Sequence, residues 1–237
     1  MKRYSKLSAL GAVLVLATAF ASADTIIGVN SGSGSTGYLG YSTTFAGAPV
    51  IQAPGVNNTP AVFPGHAYTV DPGTAWAPAG PNGTWVSYDP NSGPTGVEST
   101  FDANGFYTYW TTLTTHNNLI YSGSITVLAD DTTAVFLNGV EILPEGTIGG
   151  DGHCADGIPN CRVGGSAVVL LNNYTPGFNS NGVNLLTFEV DQSGSAFQGL
   201  DYYGSVTETT PEPNTLLLLG TGLLGSAGAL FRKMRAA

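Results

Sequence analysis

The sequence predicts an all-β protein whose body is a single β-sandwich. Three observations carry that expectation. Apolar residues alternate with polar ones over short segments bounded by turn residues. Glycine and proline are frequent, 33 and 14 among 237 residues, while only 10% of residues are charged. No helical period is visible between the two termini, and the Ala, Glu, Lys and Leu runs of a helical bundle are missing there. The 42% hydrophobic content is enough to build a core, which excludes charge-driven disorder.

The elements follow in chain order. Residues 1–23 predict a signal peptide. Lys2, Arg3 and Lys6 give a basic start, Leu7 to Phe20 an apolar stretch of 14 residues, and Ala21-Ser22-Ala23 a small-x-small cleavage site. The mature chain then begins at Asp24; a retained N-terminal anchor is the alternative. The sandwich is expected over residues 24–206. Its first strand is Thr25 to Val29, and Tyr41 to Phe45 and Val50 to Gln52 are short strands in a Gly-, Ser- and Pro-rich stretch. Tyr68 to Val70, Thr84 to Tyr88 and Phe106 to Leu113 follow. Ile125, Val127 and Ala129 share one face of a strand that ends at Asp130-Asp131.

The clearest local signal is a hairpin, Thr133 to Leu137 and Val140 to Leu143, joined by Asn138-Gly139. A type I′ turn needs positive φ at both central residues, and this pair accepts it. Ser166 to Leu171 is a further strand. Asn184, Leu186, Phe188 and Val190 then share one face, with Leu185, Thr187, Glu189 and Asp191 on the other. Leu200, Tyr202 and Val206 form the inward set of the last strand.

Residues 207–214 are a linker containing Pro211-Glu212-Pro213. Thr215 to Phe231 is an uncharged run of 17 residues, and Arg232, Lys233 and Arg235 form a basic tail over 232–237. Such a run makes a helix of roughly 25 Å, at the lower limit for a membrane span. The basic tail orients it with residues 24–210 outside the inner membrane. That body carries one base, Arg162, against 15 acids. It cannot neutralise a row of phosphates, so nucleic-acid binding is excluded.

The C-terminal tripartite pattern resembles the PEP-CTERM sorting signal of bacteria that make exopolysaccharide. The resemblance rests on Pro211-Glu212-Pro213, the Leu/Gly-rich span from Leu216 to Leu230, and the Arg/Lys tail. It implies a partner, an exosortase-type processing enzyme in the inner membrane, and release toward the cell surface or the extracellular matrix. The two prolines keep the triplet out of helix, so an enzyme meets an extended segment. The alternative is an ordinary single-pass anchor.

A second resemblance covers residues 84–206. Gly123-x-Ile125-x-Val127-x-Ala129-Asp130-Asp131, Val135-Phe136-Leu137-Asn138-Gly139, Gly182-x-Asn184-x-Leu186-x-Phe188 and Gly199-Leu200-x-Tyr202 look like the galactose-binding-like jelly rolls. This implies a jelly-roll-like β-sandwich, flanked by the signal peptide and the transmembrane helix. Many such domains bind sugars and some hold a structural calcium.

The chemistry the residues offer is sparse. Cys154 and Cys161, the two cysteines of an exported chain, predict a disulfide. Zinc held by His153 and both thiolates is the competing reading, at an unusual spacing and without a fourth ligand. Calcium has candidate ligands in Asp130 and Asp131, or in Asp151 and Asp156, although no acid ladder is present. His66, His116 and His153 accompany no catalytic motif, so no enzyme and no cofactor are expected; a secreted glycan-active enzyme is the least favoured function. Trp76, Trp85 and Trp110 are the candidate glycan contacts, with Tyr88, Tyr107, Tyr109 and Tyr203 as further stacking surfaces, against the competing role of filling the core. If Tyr107, Tyr109 and Leu113 face inward, Trp110 faces out. The expected function is carbohydrate binding at the cell surface or in the exopolysaccharide matrix; a purely structural matrix protein is the alternative.

Overall fold

The computed structural model describes residues 24–47, 65–95, 102–149, 154–194 and 197–210, together with Gly222, Gly225, Ser226 and Arg232. Thr25–Glu208 forms one compact unit. It contains β1 (Thr25–Gly28), β2 (Gly37–Ser42), β3 (Gly65–His66), β4 (Tyr68–Thr69), β5 (Val86–Ser87) and β6 (Gly105–Thr115). Then come β7 (Ile120–Asp130), β8 (Thr132–Leu137), β9 (Val140–Leu143), β10 (Ala167–Leu170), β11 (Gly182–Gln192) and β12 (Gly199–Thr209).

Two sheets of six strands face each other. Sheet I has the order β10-β7-β12-β5-β4, with β1 also pairing with β12; sheet II has the order β3-β2-β6-β11-β8-β9. The body is thus an all-β, two-sheet sandwich. The central strands are long because their alternation is uninterrupted: β11 pairs with β6 over its whole length, from Gly182 opposite Thr115 to Gln192 opposite Gly105.

Alternation fills the space between the sheets. Ile125, Val127 and Ala129 of β7 meet Leu186, Phe188 and Val190 of β11, with Tyr109, Leu200, Tyr202 and Val206, all buried. Phe188 stacks on Tyr202 at a centroid distance of 4.5 Å. The Asn138-Gly139 turn has φ of 51° and 83°, as its sequence requires. Its register is further fixed by Asn138 Nδ2, which donates to Asn184 Oδ1 at 2.9 Å, while Leu185 N donates to Asn138 Oδ1 at 2.8 Å.

The Asp130-Asp131 pair carries the chain from sheet I to sheet II, since β7 and β8 belong to different sheets. Both residues are buried, and the peptide bond between them is cis. Asp131 N donates to Asp191 O at 3.0 Å, so the crossing is anchored on β11.

Several boundaries differ from the sequence expectation. The strand expected at Tyr41 to Phe45 lies earlier, at Gly37–Ser42, because residues 43–47 leave sheet II and fold over its outer face. There Phe45 packs against Phe106 and Phe136, and Ala46 N and Gly47 N donate to the Glu189 carboxylate at 2.5 and 3.1 Å. Glu189 is consequently buried although it belongs to the outer set of β11. The expected linker at 207–214 begins later, because pairing of Ile26 with Thr207 and Thr25 with Glu208 keeps β12 in the sheet through Thr209. Val50 to Gln52, the signal peptide and the Pro-Glu-Pro triplet lie outside the described residues. Almost all of the apolar run at 215–231 does so too, and among the described residues no helix is long and apolar enough to cross a membrane.

Candidate functional site

Two loops cover part of the outer face of sheet I. Leu128 and Tyr203 point outward there, opposite in parity to the inward Val127 and Tyr202. Over them lie the loop between β4 and β5, which brings Trp76, Ala77 and Trp85, and the loop between β9 and β10, which brings Cys154 and Cys161. The loops are joined to each other, since Ala77 N donates to Cys161 O at 2.8 Å. Cys154 and Cys161 are disulfide-bonded, with Cα atoms 5.5 Å apart.

Under this cover is a cavity of about 150 Å³, lined by Ala75, Trp76, Asp130, Cys154, Cys161 and Phe197. Ala75 is exposed and Phe197 half-buried, so they form its mouth; the other four are buried. Asp130, at the end of β7 and 3% exposed, is the one carboxyl in the lining. Its Oδ2 accepts a hydrogen bond from Trp76 Nε1, and its Oδ1 has no hydrogen-bond partner among the described residues. Burial pushes the Asp130 carboxyl well above the usual carboxylate range, and the nearby acids Asp131 and Asp102 push it further.

The structure corrects two of the three tryptophan candidates. Trp76 and Trp85 are 4% and 0% exposed, so neither offers a ring face to a sugar in solvent. Their rings lie 4.5 Å apart and their indole N–H groups are used internally, Trp85 Nε1 donating to Ala77 O at 2.9 Å. The reason is area: two indoles are the largest apolar surfaces available to cover the outer face of sheet I. Trp110 does face away from the inter-sheet core, since Tyr107, Tyr109 and Leu113 point inward. It is half-buried rather than free, because its ring lies over Gly37 of β2. A Cβ at Gly37 would stand 2.1 Å from Trp110 Cε2, so glycine there makes room for the indole. Tyr107 and Tyr109 are core residues; Tyr88 and Tyr203 are half-buried.

The other candidates are dispersed. His66 is exposed, and His116 Nδ1 lies 3.2 Å from Glu208 Oε2; His153 and Asp151 lie outside the described residues. Asp156 is exposed, away from the buried pair Asp130 and Asp131. Asp131 Oδ2 accepts from Ser193 N at 2.5 Å. Donor atoms of Asp130, Cys154 and Cys161 fall within 4.8 Å of one another. The two sulfurs are bonded to each other, however, and a disulfide is not the thiolate that zinc requires.

Asp130 as the polar wall of this cavity was missed as a glycan-site or metal-site partner of Trp76 and the cysteines. The sequence does flag Asp130-Asp131 as a strand end, but 24 residues separate Asp130 from Cys154 and 54 separate it from Trp76. Only the folding of two loops onto one sheet face brings them together.

Comparison with known proteins gives a local match. Residues 209–235 match the family described as the PEP-CTERM protein-sorting motif. The match begins at Thr209, the last residue of β12. No curated protein matches the chain. Among solved structures, the native structure of a family 35 carbohydrate binding module from Clostridium thermocellum is similar at 10% identity and a TM-score of 0.34. The alignment covers 76% of this chain and 97% of that one.

Proposed function

We propose that the chain is an exported protein held in the inner membrane through residues 215–231 until an exosortase-type enzyme reads Pro211-Glu212-Pro213. It is then released to the cell surface or the exopolysaccharide matrix, where its sandwich acts as a non-catalytic carbohydrate-binding module. The observation that carries the sorting part is the match over residues 209–235 to the protein-sorting motif. The binding part is supported by the covered cavity, which sets one buried carboxyl beside an indole. A structural matrix protein without a discrete ligand is the second reading, favoured by the burial of Trp76 and Trp85.

Replacing Pro211, Glu212 and Pro213 with Ala tests the sorting step. About 17 apolar residues and three following bases still drive insertion, so the variant enters the membrane as wild type does. It then accumulates there at full length, measured by fractionation and intact mass in the native host. Equal membrane retention of both proteins, each intact to Ala237, would make the segment an ordinary anchor. Retention of the wild-type protein on exopolysaccharide columns, against a heat-unfolded control, tests the binding step.

A further inference from the structure

We propose that the cavity beneath the two loops binds a primary ammonium group on a small apolar stem, so that the glycans this protein holds are amine-bearing ones. The inference rests on the carbohydrate-binding reading above and names its ligand class.

The cavity asks for a cation. Asp130 offers Oδ1 to it without a competing partner among the described residues, while Trp76 Nε1 fixes the orientation of Oδ2. The charged neighbours of Asp130 are acids, Asp131 and Asp102, so the carboxyl is uncompensated from the protein side. A buried carboxyl in that setting gains most from a partner that brings positive charge with it. An indole in the same lining adds a second group that favours a cation.

The rest of the lining decides which cation. A calcium ion takes six to eight oxygen ligands. Here one carboxyl stands among indole, phenyl, methyl and disulfide groups. That surface suits carbon. A dry cavity of about this size holds one benzene, so a stem of roughly five or six heavy atoms fits. The whole ring of an amino sugar does not enter; its amine-bearing edge does, between Ala75 and Phe197 at the mouth.

The test uses the purified full-length protein in detergent and tryptophan fluorescence, which reports on Trp76. Butylammonium chloride is the charged probe and 1-butanol its uncharged match. The expected result is binding of butylammonium at least about tenfold tighter than 1-butanol, a charge-assisted hydrogen bond's worth. Asp130→Asn keeps an oxygen for Trp76 and removes that preference. Ala75→Phe, at the exposed mouth, weakens both probes. Asp156→Asn, on the surface, changes neither.

Equal affinity for the two probes overturns the assignment, as does an undiminished preference in Asp130→Asn. Should Asp130→Asn fail to fold, unchanged butylammonium binding in Ala75→Phe overturns it instead. Glucosamine oligomers and their N-acetylated counterparts separate this inference from the reading beneath it. If butylammonium binds and neither oligomer does, the cavity assignment stands and the carbohydrate reading falls. If both oligomers bind alike and Asp130→Asn has no effect on them, the carbohydrate reading stands and the cavity assignment falls.

Discussion

Between the sheets, Leu186, Phe188, Val190 and Tyr202 are brought together by strand alternation; on the outer face of sheet I, Trp76, Leu128, Cys154 and Cys161 are brought together by loops. The first interior needs only that inward residues be apolar and that strands pair in register. The second has no register to enforce it. It is held by point contacts instead: the disulfide, the Ala77–Cys161 backbone bond, and the Trp76 and Trp85 indole N–H groups. The first interior is filled, whereas the second leaves a cavity with a carboxyl in its wall. A sheet face covered by loops thus trades close packing for a place where chemistry can be held.

The sharpest way to separate the two interiors is to empty part of the first. Phe188→Ala removes a fully buried ring stacked on Tyr202, and a loss of about 3–5 kcal/mol is expected in denaturant unfolding. A loss under about 1 kcal/mol would mean that the inter-sheet interior is not the main store of stability.

The second interior should respond less and locally. Replacing both Cys154 and Cys161 with Ala should cost about 2–3 kcal/mol through the lost loop constraint. Amide exchange should accelerate first in residues 71–85 and 154–166, with the protection of β6 and β11 retained. Parallel loss of protection in β6 and β11 would show the two interiors to be one cooperative unit.

Trp110 tests the boundary between covered and open surface. Its ring is half-buried over Gly37, so Trp110→Ala should lower stability by roughly 1–2 kcal/mol, less than a full core truncation. An unchanged melting temperature would return Trp110 to the set of freely exposed candidate sugar contacts.

The most gradual effect is expected from pH. Burial pushes the carboxyls of Asp102 and Asp191 up to about 6, and raises Asp201 and Glu189 in the same direction. A carboxyl with a higher pKa folded than unfolded binds its proton more tightly in the native state. Stability should therefore fall as pH rises from about 4, the unfolded value, to about 6, with the penalty fully present above that. Melting temperatures from pH 4.5 to 7.5 at constant ionic strength check this. A melting temperature that rises across the window would mean that other groups outweigh these carboxyls.

The strands were legible to the degree that their function is packing. Alternation in 184–191 and 125–129 identifies the inward sets without any tertiary information, and Asn138-Gly139 specifies its own turn. The disulfide was legible because two cysteines in an exported chain leave one pairing. The placement of the tryptophans was not. Parity in β6 sends Trp110 outward, but Gly37, 73 residues away, decides how far the ring is covered. Trp76 lies in no strand, so no periodicity bears on it at all.

By itself the sequence determined the all-β class, the inward face of each long strand, the hairpin turn, the cysteine pairing and the sorting motif at the C-terminus. Each of these is set by neighbours within a few residues, or by a count. Tertiary structure alone decided which outer faces stay open. It laid residues 43–47 across sheet II and buried Glu189, and it folded two loops over sheet I so that Asp130 meets Trp76 and the disulfide. Alternation tells a strand which side faces its partner sheet. What covers the other side depends on loops whose contacts lie tens of residues away, and no local pattern encodes those distances.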